Sequence, residues 1–341
     1  MPLAEAVGKI LGHNVTGADG RPLLRKGRPL RPEDVDALRS LGRSSVYVAE
    51  PGPSDVGEDE AARRLAAAAM GPGLRLVGPH SGRANLLATG LGLFRVDPQR
   101  LLRLNEHDGV TVATLRAHAV VRPRQVVATV KVIPFALPAP IMKAAEAVTR
   151  DGGPLLRVDV LAPRRVTLLL SGSEPARERV LRDFVPPLRI RIEALGSTLD
   201  ATEFVALEDE AGEAALAAAL RRTADGGAGL ILLAGETAIV DRHDIAPRAL
   251  ERAGGELVSF GAPVDPGNLL LLGRIGNVPV LGAPGCSRSP RENVVDALLP
   301  RLLAGDRLTH ADVVGLGHGG LLEDVPERGA PRSVNGVTDP G

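Results

Sequence analysis

The feature that most constrains this chain is the rhythm of its second half, where short apolar runs alternate with segments of helix formers. Val166–Leu170 and Gly229–Leu233 are continuous apolar runs, and Thr202–Leu207 and Glu256–Phe260 have strand character. Leu269–Leu272 and Val278–Leu281 flank Gly276-Asn277 as the arms of a hairpin. Helix-forming stretches run from Arg179 to Leu195 (interrupted near Pro186-Pro187), Glu210 to Thr223, His243 to Ala253 and Asn293 to Leu303. A strand that is apolar at successive positions is buried on both faces. Such strands alternating with helices predict an α/β domain, a mostly parallel sheet in a three-layer α/β/α arrangement. Ligands of open α/β sheets sit beyond the carboxyl ends of the strands. Three loops occupy that position: Ser171-Gly172-Ser173, Ala234 to Asp244, and Ala283 to Pro290.

The first half reads differently. Arg31-Pro32-Glu33-Asp34 opens a helix to Leu41, its acidic residues at the positive end of the helix dipole. Ser45 to Ala49 reads as a strand, Pro51 to Gly57 as a turn-rich linker, and Glu58 to Met70 as a helix. Five β-prone runs follow: Leu74–Val77, Ala84–Ala88, Gly92–Val96, Val110–Leu115 and Gln125–Ile133. Between them Asp97 caps a helix to Leu104, with Pro98 in its first turn. These elements predict a β-rich α+β module over residues 1–154, with a small barrel as one arrangement, ending at Asp151-Gly152-Gly153-Pro154. The α/β domain is expected over 155–305. A Gly/Pro-rich tail occupies 306–341, and disorder is expected in part of it after Thr309.

Composition removes several classes of function. A hydrophobic fraction of 44% over 341 residues suffices for two cores. An aromatic fraction of 2% argues against platforms for stacked bases, and a formal net charge of zero argues against binding phosphate backbones or anionic membranes by bulk charge. Cys286 is the single cysteine, so neither an internal disulfide nor a cysteine-rich zinc site can form. Met1 to Ile10 carries Glu5 and does not read as a signal peptide, and no apolar run reaches the roughly 18 residues of a membrane span. The expectation is a soluble, cytoplasmic protein with neither nucleic acid nor membrane as partner.

The three loops carry a family resemblance. Leu170-Ser171-Gly172, then Leu233-Ala234-Gly235-Glu236-Thr237 with Asp244, then Ala283-Pro284-Gly285-Cys286-Ser287 resemble, in order, the strand-end loops of the molybdopterin-binding domain. That domain belongs to the molybdopterin molybdotransferases and adenylyltransferases of molybdenum-cofactor biosynthesis. Val264-Asp265-Pro266-Gly267-Asn268 resembles the Lys-Pro-Gly-Lys-Pro segment of the molybdotransferases, and Ala4 to Asn14 resembles the opening of their chain. The sequence departs from the family at Gly235-Glu236, where a glycine pair is usual, and at Asp183 to Pro187, where Asp-Ser-Asn-Gly-Pro is usual. It departs again at Cys286, where Asn or Ser stands. The spacing from Gly235 to Asp244 is about two residues longer than the family pattern.

The resemblance implies a ligand of molybdopterin or its nucleotide form. Ser171, Gly172, Gly235, Glu236, Thr237, Asp265, Asn268, Pro284, Gly285, Cys286 and Ser287 are the cofactor-binding candidates. Glycines there let a phosphate approach backbone N–H groups; singly, each also reads as a turn after a strand. Asp241 and Asp244 are candidate Mg²⁺ ligands, with Asp244 also the catalytic candidate, and either carboxylate could instead cap the next helix. Arg242 could meet phosphate or simply be solvated, and His243 reads as ordinary polar surface. Cys286 reads either as a thiol opening onto the cleft or as a small buried replacement for Ser. Three readings follow: a transferase joining molybdate or a nucleotide to molybdopterin, a non-catalytic carrier or insertion factor serving a molybdenum hydroxylase, and a generic nucleotide binder on the same scaffold. The resemblance also implies a homodimer.

Overall fold

Caps and breakers delimit the elements in the computed structural model, which describes residues 1–207, 210–237 and 239–322. The chain divides into two units, Met1–Asp159 and Val160–Gly341. In the first unit, α1 (Pro32–Ser40) starts at a proline, and Asp34 accepts the Arg31 amide at 2.8 Å. Ahead of α2 (Glu58–Ala69) the chain forms only short strand pairs, and residues 1–50 close around Leu11, Leu24, Leu30, Val35 and Leu38.

The strands β1 (Leu74–His80), β2 (Arg83–Ala88), β3 (Gly92–Val96), β4 (Val110–Thr114), β5 (Val126–Val132) and β6 (Leu156–Val160) follow. They form two open sheets rather than a barrel: an antiparallel sheet in the order β1-β2-β5-β4, and a three-stranded one in which β3 lies between residues 120–121 and β6. Ala84, Leu86 and Ala88 alternate inward along β2, as period-two burial requires, and α2 lays Ala61, Ala62, Leu65, Ala66 and Ala69 against the same core. Asp97 caps α3 (Pro98–Asn105) by accepting the amides of Gln99 at 3.0 Å and Arg100 at 3.1 Å. α4 (Ala139–Arg150) completes the unit.

The second unit holds one six-stranded sheet. Its strands are β7 (Arg165–Gly172), β8 (Thr198–Ala206), β9 (Leu230–Gly235), β10 (Glu256–Phe260), β11 (Leu271–Ile275) and β12 (Val278–Gly282), in the order β8-β7-β9-β12-β11-β10. Pairs β7–β8, β7–β9 and β9–β12 are parallel, whereas β11 is antiparallel to both its neighbours, so the sheet is mixed. The reversal comes from the hairpin at Gly276-Asn277: Ile275 pairs with Val278, and Gly276 supplies the positive φ, +56°, that a two-residue loop requires.

The helices are α5 (Arg177–Ala194), α6 (Glu210–Asp225), α7 (Ile245–Arg252), α8 (Val294–Leu303) and α9 (His310–Val314). One face of the sheet, through Leu169, Ile231, Leu233, Leu271 and Val280, shares a core with Leu216 and Leu220 of α6 and Leu250 of α7. The alternate side chains Leu168, Leu170, Leu230, Leu232 and Leu281 point the other way and are equally buried. α5 runs without a break through Pro186 and Pro187, although a proline inside a helix costs about 3 kcal/mol. Its stripe Val180, Phe184, Leu188 and Ile192 stays buried across the pair, and α5 packs on β7 and β8. That continuous burial keeps the helix whole where sequence predicts an interruption. Among the described residues no helix is long and apolar enough to cross a membrane.

The chain after Thr309 continues in helix and turn as far as Leu322. Thr309 accepts the Asp312 amide at 3.3 Å, and Asp312 accepts the Thr309 amide at 2.9 Å and Arg301 of α8 at 2.7 Å. Asp265 donates its amide to Gly320 at 2.8 Å and accepts from Leu322 at 3.1 Å. Residues 323–341, within the tail expected to be partly disordered, lie outside the described residues.

Burial would raise the Asp312 carboxyl, but the Thr309 hydroxyl, the Arg301 guanidinium and the Thr309 amide outweigh it and bring it from 3.8 to about 2. A carboxylate lowered in this way contributes stability above its unfolded value, and that contribution is lost as pH falls from about 3.8 towards about 2. Asp312→Asn is expected to destabilise the protein at neutral pH and to lose its difference from the parent across that acid window. Denaturant melts over pH check this; equal stability at neutral pH would contradict it.

Candidate functional site

The order of the strands creates the site. From β7 the chain passes through α5 to β8 on one side, then through α6 to β9 on the other side of β7. The carboxyl ends of β7 and β9 therefore flank a point where the winding direction reverses, and open α/β sheets form a crevice there. Ser171 is in register with Gly235, and Leu233 with Gly282. Backbone bonds tie the strand ends: the Glu236 amide donates to Ser171 at 2.8 Å, Ala283 to Leu233 at 2.7 Å, and Leu207 to Gly172 at 2.8 Å.

A cavity of about 480 Å³ opens at this edge. Ser171, Gly235, Glu236, Thr237, Asp244, Pro284 and Gly285 all line it, so seven of the candidates share one hollow. Its apolar wall comes from Leu207, Leu233, Ile239 and Ile245. Gly172 is buried beside the cavity rather than on its wall: a Cβ there would lie 2.8 Å from the Cβ of Glu236. A Cβ on Gly235 would meet Ser171 Oγ at 2.8 Å and Ser171 O at 3.0 Å. Both glycines are thus needed for close approach of the first two loops to each other. At Gly285 a Cβ would meet only the far end of Arg288, at 3.3 Å.

Glu236 is the charged centre of the second loop. One carboxylate oxygen accepts the Ser173 amide at 2.9 Å and the Ser173 hydroxyl at 2.8 Å, and the other accepts Arg179 of α5 at 2.9 Å. The Ser173 amide, its hydroxyl and then the Arg179 guanidinium hold this carboxyl below the usual carboxylate range. An amide, a hydroxyl and a guanidinium form the donor set that a phosphate would use, and here a side chain of the protein occupies it. No local pattern in the sequence links Glu236 with Ser173 and Arg179, because the contacts span 63 and 57 residues.

Asp244 stands at the start of α7, yet its side chain caps no helix amide. Instead it turns back and accepts the amides of Val240 and Asp241, at 2.8 and 2.9 Å. Ile245 and Ala246 of the first turn line the cavity, and their amides have no acceptor among the described residues. Pro247 has no N–H to offer. This leaves an uncapped, partially positive helix start facing the hollow. Arg288 adds a full positive charge: its Nε donates to Gly285 O at 2.9 Å, its guanidinium lies 5.5 Å from the Phe184 ring, and no carboxylate among the described residues pairs with it.

The other candidates lie elsewhere. Asp241 accepts the His243 amide at 2.6 Å and contacts the His243 ring at 2.9 Å, interactions that lower its carboxyl. The pairing of Asp241 with Asp244 as a metal site does not fit, because each carboxylate is engaged by its own turn. Among the described residues no group of three or more His, Cys, Asp and Glu side chains is arranged to hold a metal ion. Arg242 is exposed and does not line the cavity. Cys286 is half-buried in the turn Gly285–Arg288 and is not on the wall. Ser287 is fully buried; its hydroxyl donates to Pro284 O and its carbonyl accepts Arg191 at 3.2 Å, so packing accounts for it. Asp265 is joined to the Gly320–Leu322 segment, and Asn268 accepts the Ala262 amide through its carbonyl; neither lines the cavity.

Comparison with known proteins places these features beside three matches. A family described as a domain of unknown function (DUF8806) matches residues 1–50. No curated protein matches. Among solved structures, the chain is similar to the molybdopterin biosynthesis MoeA protein from Pyrococcus horikosii, with 12% identity, 89% of this chain and 74% of that chain covered, and a TM-score of 0.30. It is also similar to molybdenum cofactor biosynthesis protein B, with 16% identity, 42% of this chain and 96% of that chain covered, and a TM-score of 0.29.

Proposed function

We propose that the protein binds molybdopterin at the β7–β9–β12 edge and holds it during molybdenum-cofactor synthesis or delivery. The observation that carries this reading is the convergence of three loops, each resembling a molybdopterin loop, on one cavity whose two helix amides and Arg288 have no anionic partner among the described residues. The terminal phosphate would meet the amides of Ile245 and Ala246 and the guanidinium of Arg288. The pterin body would lie against Leu233 and Ile239, with Ser171 and Thr237 offering hydroxyls to its polar edge.

The partners of the carboxylates favour holding over transfer. A transferase needs a group free to orient or activate the incoming oxyanion. Asp244 is engaged by two amides and Glu236 by three donors. Isothermal titration of the purified protein with molybdopterin is expected to show saturable binding at micromolar or lower concentration. Mixing with molybdate, Mg²⁺ and adenylylated molybdopterin is expected to leave the ligand unchanged. No detectable binding would sink the proposal, and product formation abolished in Asp244→Ala would replace the carrier with a transferase.

A further inference from the structure

The opposite end of the same sheet carries a second hollow, of about 260 Å³, that the proposed cofactor site does not use. It lies by the starts of β7 and β12 and the end of β11, whereas the cofactor cavity lies at the other ends of β7 and β12. Its floor is apolar: Val258, Leu272, Pro279, Leu302 and Leu308. The volume is about nine times that of a liquid water molecule, roughly 30 Å³.

The rim is cationic. Arg164 is fixed at one point, its Nε donating to Leu303 O at 2.8 Å, and its two terminal nitrogens have no acceptor among the described residues. One of them stands 3.0 Å from the position a Cβ on Gly305 would take, so the bare glycine leaves room for the guanidinium at the rim. Arg307 is exposed and has no hydrogen bond or ion pair among the described residues. Asn277 adds a side-chain amide with no hydrogen bond among the described residues. The other charges on the wall are committed: Arg274 to Glu256, and Asp306 to Arg301 at 3.1 Å. Among the described residues, the charges lining the hollow that no carboxylate engages are therefore two arginines.

An apolar floor beneath unpaired guanidinium groups selects an amphipathic anion. A bare inorganic ion would leave the floor wet, and a neutral apolar molecule would leave the arginine donors unused. We propose that this hollow binds a small organic anion, a carboxylate or phosphate monoester on an apolar body. The charged group meets Arg164 and Arg307, and the body rests on Leu272, Leu302 and Leu308.

Methyl-labelled full-length protein titrated with phenyl phosphate, benzoate and inorganic phosphate tests this. Saturable shifts at the Leu272, Leu302 and Leu308 methyls are expected with phenyl phosphate, benzoate or both, the pair separating the two head groups. Inorganic phosphate should bind about tenfold more weakly than the better aryl anion, and Arg164→Gln and Arg307→Gln should each weaken that anion about tenfold. Arg307 is exposed, so its variant keeps the test open if Arg164→Gln does not fold. Absence of shifts at those methyls up to about 10 mM of either aryl anion, or unchanged affinity in Arg307→Gln, overturns the proposal.

Discussion

Replacing Arg191 with methionine is expected to cost about 3–5 kcal/mol of folding stability and to loosen the third loop of the candidate site. Arg191 lies on α5 at 9% exposure. It donates to Asp296 at 2.9 Å and to the carbonyls of Pro187, Ser287, Ser289 and Arg291 at 2.8 to 3.3 Å. Three of those carbonyls belong to the segment 287–291, and Asp296 belongs to the first turn of α8. A single side chain thus fixes the loop carrying Pro284, Gly285 and Arg288 to the helix behind it. Methionine fills much of the volume but leaves four carbonyls and a carboxylate without their donor. Lysine keeps the charge and loses the fork that reaches several acceptors, so it should recover only part of the loss. Urea unfolding measures the stability, and hydrogen exchange at the amides of residues 285–291 measures the loop. A loss below about 1 kcal/mol, with unchanged exchange, would show that the loop is held by other contacts.

Replacing Glu236 with alanine is expected to raise the affinity of the cavity for inorganic phosphate about 10- to 100-fold. The substitution removes a negative charge from the wall and frees the Ser173 amide, the Ser173 hydroxyl and Arg179 together. The carboxylate repels an incoming anion, and solvent around the loop limits that repulsion to the tenfold to hundredfold range expected here. Glu236→Gln removes the charge but leaves an amide among the donors, so its gain should be smaller. Because the carboxyl of Glu236 is held below its ordinary range, the parent protein keeps this charge at neutral pH. Isothermal titration with phosphate measures the effect. Equal or weaker binding in Glu236→Ala would mean that Glu236 does not compete with an anion.

Much of the second unit was legible because burial writes itself into periodicity. The runs Val166–Leu170 and Gly229–Leu233 became central strands, and Gly276-Asn277 became the turn of a hairpin, each from local chemistry alone. The start of β8 was missed because Thr198, Asp200 and Ala201 are exposed on an edge strand; pairing with Arg165 to Thr167, rather than side-chain pattern, extends it. The prolines of α5 misled for the opposite reason, since packing over its whole length outweighs a local breaker.

At the site, three strand ends could be read as neighbours from their position in the alternating pattern. The grip of Glu236 on Ser173 and Arg179 could not, nor could the backward turn of Asp244, because each depends on side-chain direction. The uncapped amides of Ile245 and Ala246 became visible only once Asp244 was seen to point away from them.

The most direct test is the structure of the protein saturated with molybdopterin. The account predicts the terminal phosphate within hydrogen-bonding distance of the Ile245 and Ala246 amides, with the pterin against Leu233 and Ile239. A ligand bound outside that hollow, or a hollow still vacant at saturation, would contradict it.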